Sequence, residues 1–209
     1  MPFIAAQKGS GLMNDYFDEN EYNYICQKLH SKGGIYDVTI HYDSPGYFNR
    51  IKSVVQRDRR GEVVFCVIRP NGKVIVVTCS DYPENIYRIP TGGIDHNENV
   101  LEAIYREVYE ELGLTVRIKS FCGVVRIRFE HGNEHVMFYS YIFILEEIGG
   151  NLLEDASDDE VSAVREVDTE ELARIAESLR NIKGKWHDWG QFRYVTTNAV
   201  VKQLEEICI

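Results

Sequence analysis

The segment from Leu101 to Leu112 carries two patterns at once, and together they leave a chain few folds to choose from. Leu101, Ile104, Val108 and Leu112 recur at helical spacing and form a stripe suited to a core. Glu107, Glu110 and Glu111, at i, i+3 and i+4, crowd onto the neighbouring arc of roughly 100°. Asn97 or Asn99 can cap the start of such a helix, and Gly113 suits the left-handed position that stops it. One face therefore packs on a sheet while the face beside it concentrates negative charge. Arg106 is the basic residue next to the cluster, and alone it cannot compensate three carboxylates. Like charges held so close repel unless a cation joins them. A hard divalent ion is the usual remedy: Mg²⁺ typically reaches a protein through a few carboxylates and a substrate through its phosphates, and Mn²⁺ favours similar oxygen donors.

The segments around this helix alternate between strand and helix patterns. Val63–Ile68 is an apolar, β-branched run, Pro70-Asn71-Gly72 is turn chemistry, and Lys73–Thr78 returns, so the pair reads as a hairpin. Val116–Phe129 and Val136–Leu145 read as two long strands joined by His131-Gly-Asn-Glu-His135. The acidic stretch Glu146–Glu160 reads as a loop, Ala163–Val167 as a short strand, and Thr169–Leu179 and Tyr194–Glu206 as helices. Trp186-His-Asp-Trp-Gly190 reads as an aromatic anchor for the last of these. Strands interspersed with helices make the fold class α/β, an α/β/α sandwich around a mixed sheet. Residues 1–57 read as an N-terminal extension and 58–209 as the main domain. In the extension a helix is expected over Asp15–Ser31, with Tyr16, Phe17, Tyr24, Ile25 and Leu29 near helical spacing. A strand is expected over Ile35–His41, and Asp43-Ser-Pro-Gly46 looks like a turn.

The glutamate cluster ends a longer pattern. Gly92, five residues, Glu98, seven residues, then Arg106, Glu107, Val108, Tyr109, Glu110, Glu111, Leu112, Gly113 and Leu114 resembles the Nudix box at each of its specified positions. The resemblance implies the Nudix sandwich fold and hydrolysis of a phosphoanhydride bond in a nucleoside diphosphate linked to another moiety. It implies that Glu107, Glu110 and Glu111 hold one or more Mg²⁺ ions, with the backbone carbonyl of Thr91 as a further ligand. Gly92 and Gly93 let the loop backbone approach metal or phosphates closely. Glu98 and Arg106 are expected to pair and clamp the loop to the helix. The base that takes the proton from water lies either in the box or in a later loop, where Glu160 would fall. Arg88, a few residues before the box, is a candidate substrate contact. Downstream of the box, Phe129-Glu130 stand where ADP-ribose pyrophosphatases often carry a proline and dinucleoside-polyphosphate hydrolases a tyrosine. Coenzyme A and NADH signatures are absent too, so the substrate within the family stays open.

The net charge of −10 disfavours a nucleic-acid polymer as partner, since tracking phosphates needs a basic surface. A small phosphorylated ligand remains compatible, because a bound metal supplies local positive charge. Five cysteines in no CxxC or zinc-like spacing point to reduced thiols. Met1–Gly11 lacks the pattern of a signal peptide and no apolar run reaches membrane-spanning length, so a cytoplasmic protein without a membrane partner is expected. The aromatic content of residues 16–48 would suit a homodimer interface or a cover for the substrate pocket.

Plainer readings compete at several positions. His131 and His135 suit a solvated hairpin tip better than a ligand pair, and Arg126, Arg128 and Glu130 a solvent-facing ladder. Arg57, Arg59 and Arg60 read as linker surface, and Phe129 as core. A ligand-sensing, non-catalytic Nudix fold is the alternative function. The DNA-binding module that such regulators append is not evident here, nor are the histidines an isopentenyl-diphosphate isomerase would need.

Overall fold

The computed structural model describes residues 17–157 and 160–207. Asp15, Tyr16, Asp158, Asp159 and Cys208, which figure in the readings above, lie outside the described residues. The first helix, α1 (Glu19–Lys28), starts at Asp18, whose carboxylate accepts the amides of Asn20 and Glu21. Strand β1 (Gly34–His41) follows, and then a helix where a turn was expected, α2 (Pro45–Arg57). The Asp-Ser-Pro-Gly tetrapeptide opens this helix: the Ser44 hydroxyl accepts the Tyr47 amide, and Pro45 takes the first-turn position where its missing N–H costs nothing.

Strand β2 (Arg59–Ile68) comes next and forms a hairpin with β3 (Val74–Thr78) through the expected Asn71-Gly72 turn. Strand β4 (Thr91–Asp95) leads into helix α3 (Val100–Leu112), capped by Asn99 and stopped by Gly113 at φ 69°. The long pair β5 (Leu114–His131) and β6 (Glu134–Gly150) follows, so the expected acidic loop gives up its first residues to β6. Strand β7 (Ala163–Val167), helix α4 (Thr169–Arg180) and helix α5 (His187–Ile207) complete the chain. The terminal helix starts earlier than the sequence suggested, directly after a short 3₁₀ turn at Gly184–Trp186. Among the described residues no helix is long and apolar enough to cross a membrane.

The strands make one mixed sheet in the order β1-β5-β6-β2-β3-β7, with β4 paired to β2 off this path. β2 is buried on both faces, as expected of a strand with layers on either side. Val63, Phe65 and Val67 point into a core shared with α1 and α3, while Val64 and Cys66 point into a core shared with α2, α4 and α5. The architecture is thus the three-layer sandwich expected. The apolar stripe Leu101, Ile104, Val108 and Leu112 is buried against the sheet, leaving the glutamates on the adjoining arc.

Residues 17–57 are built into this sheet. β1 pairs in parallel with β5 over eight positions, from Gly34↔Gly123 to His41↔Glu130. Phe48 and Val55 of α2 are buried in the second core. Replacing Phe48 with alanine should therefore lower the free energy of unfolding by about 3–5 kcal/mol, as for other large core aromatics. Chemical denaturation checks this; a loss below about 1 kcal/mol would mean that α2 is not part of the core.

Candidate active site

Among the described residues β4 has a ladder on one edge only, and this gives the site its shape. Bonded and non-bonded pairs alternate in an antiparallel ladder. Phe65 donates to the Pro90 carbonyl at 3.1 Å, so the next pair, Val64↔Thr91, falls on the non-bonded register. The carbonyls of Thr91 and Gly93 therefore turn away from β2 toward the open edge. Gly93 confirms the direction, because its carbonyl accepts from Arg106 Nη2 at 3.0 Å. Side chains alternate across the same strand. Position 92 faces α3 and Thr91 faces the α5 layer.

On the α3 side, Arg106 is the hub. It meets Glu98 through two hydrogen bonds of 2.7 Å, Glu107 Oε1 at 2.9 Å and Glu110 Oε2 at 2.8 Å. One guanidinium thus joins three carboxylates and a backbone carbonyl, the planar multidentate geometry that lysine cannot reproduce. Hydrogen bonding to Arg106 draws the Glu98 carboxyl below the usual carboxylate range, and Glu98 in return raises Arg106. Burial pushes Glu107 upward, against the opposing pull of Arg106. Glu107 lies directly on Gly92: a Cβ there would sit 2.2 Å from the carboxyl carbon and from Oε2. Any other residue at position 92 would displace the carboxylate. Glu111, on the same arc, is buried at 5% exposure.

The N-terminal segment reaches the same junction. Glu21 of α1 forms a bidentate pair with Arg60 at 2.8 Å for each bond and accepts the Val100 amide at the start of α3 at 3.0 Å. Arg60 also donates to the Glu98 carbonyl. The expectation that Arg60 is linker surface is therefore incorrect; it ties α1 to the box loop. The anionic Glu21 suits the helix N-terminus it caps.

On the α5 side, Thr91 Oγ1 accepts from Arg88 Nη1 at 3.1 Å and from Arg193 Nη1 at 3.2 Å. Arg88 is 5% exposed, and its other hydrogen bonds go to the Tyr82 hydroxyl and the Ile89 carbonyl, each at 2.9 Å. Burial acts to lower its pKa, but Tyr82 and the charge of Glu111 raise it overall. Arg193 also pairs with Glu62 at 2.9 Å, and Glu62 accepts from the Ser140 hydroxyl at 2.8 Å. Tyr82 packs on Trp189 and Trp186, so the aromatic anchor expected at the head of the last helix closes this layer.

The structure thus gathers Glu98, Arg106, Glu107 and Glu110 on one side of β4, with Gly92 and Gly93 in contact with the group and Arg88 on the other side. Glu160 is exposed, between Ser157, whose amide donates to the Glu110 carbonyl at 3.1 Å, and Ser162, whose amide donates to Thr78 at 2.9 Å. Through Ser157 the acidic loop is thereby folded back onto the C-terminal end of α3. Sequence reasoning missed Glu21, Glu62 and Arg193. The one available signal was a glutamate, Glu62, at the head of an apolar strand run. Arg126 pairs with Asp37 and Arg128 with Glu130, as a solvent-facing ladder would. His131 Nδ1 lies 2.8 Å from the Tyr42 carbonyl, so that residue is engaged with the backbone of the chain. A separate group, Asp43, His187 and Asp188, has ligand atoms within 4.8 Å of one another. There the Asp188 carboxylate already accepts the amides of Asp43 and Ser44.

A family profile described as the NUDIX domain matches residues 58–190, and the chain belongs to that family. An ADP-ribose pyrophosphatase of Methanocaldococcus jannaschii is 33% identical over 87 residues, covering 41% of this chain and 50% of the relative. An RNA pyrophosphohydrolase of Histophilus somni is 42% identical over 53 residues, covering 25% of this chain and 26% of the relative. The chain spans half or less of the length of these curated relatives. A solved NUDIX-family structure from Listeria monocytogenes aligns with a TM-score of 0.48 and 17% identity over 70% of this chain and 94% of that one.

The Arg106 hub makes a prediction independent of catalysis. In a chelating buffer, Arg106→Met should lower the unfolding free energy by about 2 kcal/mol, since it strands partly buried carboxylates. Millimolar Mg²⁺ should restore part of that loss by substituting for the missing cation. Equal stability of variant and wild type in chelator would show that the clamp does no structural work.

Proposed function

We propose that the chain is a divalent-metal-dependent hydrolase of a phosphoanhydride bond in a small nucleotide derivative. The observation that carries this reading is the seating of Glu107, on the same arc as Glu110 and Glu111, on Gly92, the residue after Thr91, whose carbonyl the ladder register turns outward. The donor set is all hard oxygen, which fits Mg²⁺ or Mn²⁺. Glu107, Glu110 and Glu111 would hold the ion with the Thr91 carbonyl. Such an ion, when bound, neutralises phosphate charge and lowers the pKa of a water.

The chain's own groups take the remaining roles. Arg106 and Glu98 keep the carboxylate arc fixed to the loop, so no reorganisation is needed as charge develops. Gly92 and Gly93 keep the loop backbone bare of side chains where phosphates approach. Arg88 is buried, hydrogen-bonded to the Tyr82 hydroxyl, the Ile89 carbonyl and the Thr91 hydroxyl and acted on by the charge of Glu111, and its guanidinium is the proposed contact for a substrate phosphate. Glu160 is the proposed base: it lies three residues beyond the amide that anchors the acidic loop to α3. The similarity to an ADP-ribose pyrophosphatase supports looking for the substrate among nucleoside diphosphate derivatives. For residues 1–57 we propose a second role, in a homodimer, through the exposed Tyr24, Ile35 and Tyr36.

The test is a release assay for phosphate and nucleotide across nucleoside diphosphate derivatives with Mg²⁺ and with Mn²⁺. Turnover should require the metal, and Glu110→Gln or Glu111→Gln should abolish it while the fold stays intact. Substantial residual activity in either variant would overturn the metal assignment. Glu160→Gln should slow turnover by about 10²–10⁴-fold, the usual range for a general base; a loss of less than about tenfold assigns the base elsewhere.

A further inference from the structure

Resting on the metal reading above, we infer that Arg193 of α5 is a positioning residue for the metal loop, acting through Thr91 and braced by Glu62. Arg193 lies beyond the segment that the family profile matches, so nothing in the box accounts for it. Three observations meet at this residue. First, among the described residues β4 pairs with β2 alone, so no described strand fixes its outer edge, the one that presents the Thr91 carbonyl. Side chains must do that work instead. Arg106 holds Gly93 from the α3 side, and Arg193 with Arg88 holds Thr91 from the α5 side.

Second, Arg193 is itself placed by a buried partner. Glu62, 2% exposed, stands opposite Gly93 in the β2–β4 register and accepts from both Arg193 and Ser140. A carboxylate so buried is costly unless it is paired and hydrogen-bonded, and here it is both. The pair therefore places Arg193 Nη1 against the Thr91 hydroxyl with little freedom. Third, Thr91 is β-branched, so fixing its hydroxyl restricts the side chain to one rotamer and limits the backbone that carries the carbonyl. The path runs Ser140–Glu62–Arg193–Thr91, from β6 through β2 and α5 to the loop. Outer-shell partners of this kind typically govern metal affinity by about 10–100-fold when removed.

Thr91→Val removes the acceptor while keeping the backbone carbonyl and the Glu62–Arg193 pair. Arg193→Met alone would strand Glu62, so the companion variant is Glu62→Gln/Arg193→Met, which removes both charges together. Mn²⁺ binding without substrate is read from the free-ion electron paramagnetic resonance signal, with thermal unfolding as the fold control. Thr91→Val and the charge-pair variant should each weaken Mn²⁺ by about tenfold or more, and the triple variant should be no worse than either, since all cut one path. Mn²⁺ affinity within about twofold of wild type in a folded variant overturns the positioning role, as do effects that multiply in the triple variant. Failure of the wild-type protein to bind Mn²⁺ would strike the metal reading instead.

Discussion

The site depends first on one guanidinium. Arg106 is surrounded by Glu98, Glu107, Glu110 and the Gly93 carbonyl, and it reconciles a helix that carries clustered negative charge with a loop that must lie close against it. Without such a cation the arc of carboxylates would push the helix terminus and the loop apart. With it, each of Glu107 and Glu110 commits one oxygen to Arg106, and the other lies outside that contact. The apolar stripe and strand pairing then reinforce a geometry that electrostatics alone, including the negative end of the α3 dipole, would oppose.

β4 turns this clamp into a site with two sides. It is a single strand hydrogen-bonded on one edge, lying between a layer that carries carboxylates and a layer that carries arginines. Gly92 admits Glu107 on one face, and Thr91 receives Arg88 and Arg193 on the other. The N-terminal segment joins the same construction through Glu21, which caps α3 and pairs with Arg60. Residues outside the family-matched stretch therefore hold both ends of the box loop: Glu21 of α1 where it enters the helix and Arg193 of α5 at Thr91.

The sequence revealed this arrangement unevenly, for physical reasons. The carboxylate arc, the apolar stripe, the Asn99 cap and Gly113 were legible because all are local, set by the period and end chemistry of one helix. The β5–β6 pair was legible because alternation and length suffice for a long hairpin. α2 was missed because Ser-Pro-Gly serves equally as a turn and as a helix start, and only the spacing of Phe48, Ile51 and Val55 tells them apart. Arg60, Glu62 and Arg193 were misread or overlooked because their roles rest on partners 38 or more positions away, which no local pattern encodes. Even Glu98 and Arg106 entered as a family expectation, and their geometry was visible only once the loop and helix were seen together.

The proposed hydrolysis requires a divalent ion on the α3 arc. Crystals soaked in Mn²⁺ and measured at an energy where manganese scatters anomalously would locate it directly. An anomalous peak bounded by the carboxylates of Glu107, Glu110 and Glu111 and the Thr91 carbonyl is the predicted result. No peak on that arc, or a peak confined to Asp43, His187 and Asp188, would contradict it.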